Sequence, residues 1–442
     1  MGEGKVFNRW LVVVGALLIQ VSLGAIYIYS VFKPGLKESF PAWSDTDLAL
    51  PSQLVLAFFA LGVILFGRIQ DKVGPRPIAS LGGVLLGIGL VIASFASNLF
   101  IFVLGFSIIG GIGIGAAYVC PIATCVKWFP DKRGLITGLA VAGFGGGALF
   151  FTPIAKGLIA SVGVMNTFLY LGIIFLIAVL IGAQLMVNPP AGFKPAGWNP
   201  PAAVAGVQAA KVDYTWQEMI KTPQFYLLWL AYFAGCTAGL MVIMNVTNVY
   251  QSYSLLGLVK TMNPITNAAF GHVISQAATA VITVSILNAL GRIAWGKISD
   301  NIGRKPTLLI MFLYSGVIML LLNWFTSYPL FLFGVASVGF CFGGFLALFP
   351  AVTADYFGTK NVGANYGWMF AAYGAGGLFG PWLAPKLMQV VQKINYESLD
   401  KAGAVVLKAF SAGSFLMAFA ISGIMCLVAA GLILVVKPPA GK

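Results

Sequence analysis

Apolar residues along this chain come in long unbroken blocks. They show neither the three-and-four spacing of a half-buried helix nor the alternation of a half-buried strand. From Trp10 onward the blocks fall near 10–32, 48–67, 77–96, 99–126, 135–159 and 164–187, then near 224–252, 267–295, 306–325, 329–353, 363–389 and 409–436. Each one provides the ~20 residues that an α-helix needs to cross the hydrocarbon of a bilayer. The pattern predicts an all-α membrane protein with twelve transmembrane helices.

Composition agrees. A chain of 442 residues would suggest about three soluble domains, but 59% of it is hydrophobic and only 9% charged, against roughly 25% charged in a soluble domain. The net charge of +14 would suggest nucleic acid if it were clustered. Instead it follows the connections between blocks. One face carries Lys33, Lys37, Lys260, Lys386, Lys393, Lys401 and Lys408, seven cations of the 26. Lys156 and Arg292 lie inside blocks, so 26 − 7 − 2 leaves 17 at the termini and even-numbered connections. Cytoplasmic loops collect lysine and arginine, so both termini are expected in the cytoplasm. Lys5 and Arg9 precede the first block as in a signal peptide, but its length and the lack of a small-residue cleavage pattern read as a retained span. The five cysteines have no metal-ligand spacing and read as small packing residues. No metal or cofactor is expected.

The chain repeats itself at an offset of about 229. Gly67-Arg68-Ile69-Gln70-Asp71-Lys72-Val73-Gly74 returns as Gly296-Lys297-Ile298-Ser299-Asp300-Asn301-Ile302-Gly303, and Pro121 returns as Pro350. Gly146-Gly147 returns as Gly376-Gly377. The repeat predicts two homologous six-helix bundles, 1–187 and 223–442. They are joined by a cytoplasmic linker over 188–222 that is rich in proline and then alanine, and its end, from Asp213 to Phe225, reads as a short interfacial helix. In the repeated motif, Gly67 and Gly296 let helix ends approach closely. Asp71 and Asp300 can accept hydrogen bonds from a neighbouring helix N-terminus. Arg76 and Arg304 are placed to pair with them. Together these residues read as a conformational latch.

The G-x-(I/L)-x-D-(K/R)-x-G pattern, present twice, resembles the signature of the major facilitator superfamily. Asn8-Arg9-Trp10, Lys127-Trp128-Phe129-Pro130-Asp131-Lys132-Arg133-Gly134-Leu135, Thr222-Pro223-Gln224-Phe225 and Asn365-Tyr366-Gly367 resemble its oxalate/formate antiporter branch. That branch is similar to the monocarboxylate transporters, and bacterial lactate–proton symporters of the group are the nearest resemblance. It implies a multi-pass protein of the cell (inner) membrane that works as a monomer. Its expected partners are the lipid bilayer, protons and a small monocarboxylate.

Two cations inside spans are the places to look for chemistry, because an ion at the bilayer centre costs at least ~2.5–3.5 kcal/mol. Lys156, near an outer end, reads as a snorkelling anchor. Arg292 lies eight residues, or ~12 Å of helix, from Asp300, and no acidic residue falls inside a predicted span to neutralise it. A guanidinium grips a carboxylate through two parallel hydrogen bonds, and the resemblance implies that the arginine of span eight is the anion ligand. Helix depth places Tyr118 and Gln20 near the same layer, with Tyr373 on the far side of the cavity and Tyr27 further out. Asn288 is four residues before Arg292 on the same helix face. Eukaryotic monocarboxylate transporters carry a titratable aspartate there, so their proton-coupling residue does not carry over. His272, ~30 Å away along the helix, is a weak candidate for proton relay. Oxalate-handling relatives place a lysine where this chain has Tyr373; one cation and a phenol suit a monoanion better than a dianion.

An enzyme would need a nucleophile–base pair or a metal cluster, and a channel a filter or charged rings. A carrier of the alternating-access type explains the repeat and the lone buried arginine. Proton-coupled symport of a lactate- or pyruvate-class monocarboxylate is the first expectation; anion exchange of the oxalate/formate type is the alternative.

Overall fold

The computed structural model describes residues 7–190, 192–195, 213–399 and 404–439. Most of the expected linker, 196–212, lies outside them, as do Lys5, Lys401 and Lys442 of the charge pattern. The first span is Arg9–Ser39 (α1), tightened to a 3₁₀ turn over Gly24–Ile28. Asp45–Val73 (α2), Pro75–Ser94 (α3) and Leu99–Trp128 (α4) follow, the last wound as a π-helix over Val103–Ile109. The segment Arg133–Gln184 bends at Gly163, where φ is 80°, into α5 (133–162) and α6 (164–184). The remaining spans are Pro223–Leu258 (α7), Asn267–Ile302 (α8), Arg304–Leu321 (α9), Tyr328–Phe357 (α10), Val362–Leu387 (α11) and Leu416–Val435 (α12). Among the described residues, ten segments are long and apolar enough to cross a membrane. Counting the bent one as two, and adding the glycine- and tyrosine-rich α11, gives the expected twelve.

Three boundaries differ from the sequence expectation. No loop separates α5 from α6; a single glycine in a left-handed conformation, which other residues rarely adopt, turns the chain. The twelfth span begins at Leu416, not near 409. Residues Val405–Ser414 instead form a strand (β2), antiparallel to Gln389–Leu399 (β1). The apolar block beginning near 409 had merged strand and helix, because hydropathy does not distinguish them. The third difference is at the helix ends. The helices run past the apolar blocks, so Asp71, Asp300 and Asp355 sit in the last turns of α2, α8 and α10. In each, a glycine three residues on stops the helix with φ of 85–95° (Gly74, Gly303 and Gly358).

At this end of the bundle, the motif end, the first and last six helices touch through glycine. A β-carbon added to Gly67 would sit 2.2 Å from the Gly363 carbonyl oxygen, and one on Gly296 would sit 2.3 Å from that of Gly134. Both pairs are related by the same 229-residue offset. Such spacing admits only glycine and lets backbones approach as small residues do between membrane helices. At the opposite end, the β1–β2 hairpin braces the connections there. Ile265, between α7 and α8, exchanges backbone hydrogen bonds with Asn395 and Glu397. The Glu397 carboxylate accepts from the Asn267 amide at the start of α8 at 3.1 Å, and Tyr396 stacks on Phe270. Ser414 bonds Asn323, after α9.

The end of the linker is docked. Trp216–Met219 forms one helical turn, capped reciprocally by Thr215 and Glu218, and Trp216 stacks on Trp368 of α11. Thr222 caps α7, with Pro223 in its first turn, a position where the missing amide hydrogen costs nothing.

Candidate functional site

Arg292 is fully buried in α8. The sequence makes room for it on α5: a β-carbon on Gly138 would strike the Arg292 carbonyl, and one on Gly145 would lie 3.0 Å from the guanidinium carbon. Two acceptors hold the guanidinium in place. Nε donates to Asn288 Oδ1 at 2.9 Å and Nη1 donates to the carbonyl of Val141. Nη2 is buried with no hydrogen-bond partner. Among the described residues no carboxylate pairs with this arginine. A fixed, buried cation with one uncommitted corner has the electrostatics to attract an anion.

The walls are aromatic. Tyr118 packs edge-on to Phe59 and Phe144 at 4.9 and 5.1 Å, and Phe370 lies 5.2 Å away. Tyr27 and Tyr373, on α1 and α11, meet through their hydroxyls at 2.9 Å, and Tyr27 lies beside Arg292. The Gln20 amide donates to the Tyr118 carbonyl at 3.3 Å. The six residues expected at the site (Arg292, Asn288, Tyr118, Tyr373, Tyr27 and Gln20) are therefore brought together, with Tyr27 closer to Arg292 than its expected position further out. His272 does not join them; it is exposed near the start of α8, at the hairpin end.

Sequence reasoning missed the Val141 carbonyl and the phenylalanines. Val141 carried no signal, since any helical carbonyl is equivalent on paper. Phe144 did: it is the 229-offset mate of Tyr373, as Gly145 is of Gly374.

The motif residues form two unequal clusters. A carboxylate in the last turn of its own helix faces that helix's negative end, and a neighbouring helix N-terminus offsets this. Asp300 accepts from the Gly134 and Leu135 amides that open α5, both at 2.8 Å, and from Arg304 at 2.7 Å. Arg304 also donates to Asp355 at 2.9 Å, and Asp355 takes a further bond from Arg133. Asp71 accepts from the Ala364 amide of α11 at 2.8 Å, with Lys127 at 3.4 Å and Gln70 at 2.6 Å. Arg76 does not pair with Asp71. It donates to the carbonyl of Gln184, ending α6, as its repeat mate Lys305 donates to Leu434 and Val436, ending α12. The true mate of Arg304 is Pro75, which has no charge to give. Nearby, Arg9 grips Asp131 with two bonds of 2.7 and 3.1 Å.

The model of the Major Facilitator Superfamily matches residues 10–260 and 252–442. The chain is 30% identical over 373 residues to the Escherichia coli (strain K12) uncharacterized MFS-type transporter YhjX, covering 84% of this chain and 86% of that one. It is 29% identical over 386 residues to the oxalate:formate antiporter of Oxalobacter formigenes, covering 85% and 84%. The solved proton:xylose symporter XylE superposes with a TM-score of 0.67 at 16% identity, covering 96% and 95%, a likeness of fold. The chain belongs to the Major Facilitator Superfamily, and is a multi-span secondary active transporter, not an enzyme.

Proposed function

We propose that this transporter carries small organic monocarboxylates of the lactate and pyruvate class, with Arg292 as the carboxylate ligand, and that it works by exchanging one anion for another. The observation that carries the substrate class is the guanidinium itself: one buried cation, unpaired by any described carboxylate, with Nη2 open. A second carboxylate on the same substrate would face the Tyr27 and Tyr373 phenols. Leaving that charge unpaired in an apolar pocket costs several kcal/mol.

Exchange is favoured over the proton symport expected first. Similarity to an oxalate:formate antiporter extends over 85% of the chain. The described residues around Arg292 include no carboxylate or histidine to carry a proton, and Asn288 cannot titrate. Exchange needs none, because each half-cycle returns with an anion on the arginine. In this reading 1–187 and 223–442 are the two moving bodies, 188–222 links them, and the motif end faces the cytoplasm of a cell-membrane protein with both termini inside. The Asp71 and Asp300 clusters latch that end shut, and one chain suffices.

Counterflow in proteoliposomes tests the mode and the cargo together. Labelled lactate should enter only when unlabelled monocarboxylate is trapped inside, and external oxalate should compete poorly. Uptake driven by an imposed pH gradient with no internal anion would return the symport reading. Strong competition by oxalate alone would overturn the monocarboxylate assignment.

A further inference from the structure

A groove of about 570 Å³ lies among α8, α9 and α10, on the side of α8 away from the first six helices. Leu287, Ala336, Ser337 and Phe340 line its floor, and Tyr314 and Phe333 stand partly exposed at its edge. The internal repeat shows how the two halves differ here. In the first six helices Gly82 meets Gly113, and Gly89 meets Gly105, closely enough to put the backbones of α3 and α4 in contact. At the 229 offset, Gly82, Gly89 and Gly113 become Met311, Ile318 and Phe342. Three of the four glycines through which α3 and α4 touch are therefore lost between α9 and α10, and only Gly105 is kept, as Gly334.

What fills the groove follows from its surroundings. Its hydroxyls are already satisfied, the Tyr314 phenol donating to Ser337 Oγ at 3.0 Å. Among its described lining groups only the Trp295 indole Nε1 is buried without a hydrogen-bond partner, so the lining is apolar but for that one N–H. The rim is continuous with exposed Leu290, Leu313 and Val317, the apolar surface that a membrane transporter presents to lipid. In a bilayer the available matter there is hydrocarbon, and a void would forfeit dispersion contacts along its whole lining. We infer that this groove is a binding site for one acyl chain of a membrane phospholipid, retained longer than the lipids that surround the protein. Leu287 and Trp295 flank Arg292 on α8, so the bound chain packs against the back of the helix that carries the anion ligand.

The full-length protein, extracted in mild detergent from bilayers of phosphatidylcholine and phosphatidylglycerol, should keep one phospholipid in native mass spectrometry. Ala336→Trp and Ser337→Trp, which fill the floor, should lower that retained fraction at least ten-fold. Ile108→Trp, at the repeat mate of Ser337, should leave it unchanged. In bilayers of brominated lipid, Trp295→Phe should remove part of the quenchable tryptophan fluorescence, a readout that does not need the filled variants to fold. No retained lipid in the wild type, equal retention in the filled variants, unchanged quenching, or a second copy of the chain seated on this face would each overturn the assignment.

Discussion

At Arg292 the chain commits an ion to the membrane interior and then restricts what the ion can do. Asn288 and the Val141 carbonyl take two of its donor positions, so the guanidinium is oriented before any substrate arrives. Arg292→Lys keeps the charge but loses the planar fork and both anchors. Charge-assisted hydrogen bonds contribute ~1.5–3 kcal/mol each, so substrate binding should weaken by one to two orders of magnitude. Isothermal titration of purified protein reads this, and wild-type affinity in Arg292→Lys or Arg292→Gln would remove the arginine from the site. Gly145 gives a second test. A β-carbon there already crowds the guanidinium, so Gly145→Val should displace Arg292 and raise the apparent KM several-fold, while Gly146→Val, where a β-carbon meets open space, should not. Equal effects at the two positions would mean that Gly145 serves helix packing alone. Much of this site was legible from depth along single helices, because a 1.5 Å rise per residue fixes which side chains share a layer. The guanidinium's hold on Val141 was not, since it depends on how α5 faces α8.

Among the elements, the helices were legible from apolar block length and the repeat from its motif, but the hairpin was not. The stretch from Val405 to Phe410 is as apolar as a span, and only its pairing with β1 shows that it is a strand. Nor did sequence alone show that the two aspartate clusters differ in their partners. The repeat puts arginine at 304 and proline at 75, so Asp300 belongs to a network with Arg304, Asp355 and Arg133, while Asp71 has Lys127 at 3.4 Å. Removing one partner from such a hydrogen-bonded network costs ~1–3 kcal/mol. Asp300→Asn should therefore open the motif end more than Asp71→Asn does. Spin labels at positions 132 and 360, both exposed and at this end, would report it as a larger population of long distances. Equal shifts in the two variants would mean that the network around Asp355 adds nothing to closure.

For the molecule as a whole, the hairpin has a mechanical meaning. It hydrogen-bonds to the segment between α7 and α8, caps α8 and reaches the residue that follows α9. It thus acts as a splint across the ends, opposite the motif end, of helices that would otherwise be joined only by loops. Spin labels at positions 260 and 393 should keep one separation with and without substrate, whereas labels at 393 and 38 should not; a change in the first pair would show that the splint yields. A splinted end cannot open by flexing one helix away from its neighbours. In the proposed cycle, whatever admits an anion to Arg292 from that side has to carry α7, α8 and the hairpin together, which leaves the bending to the seams between the two sets of six helices.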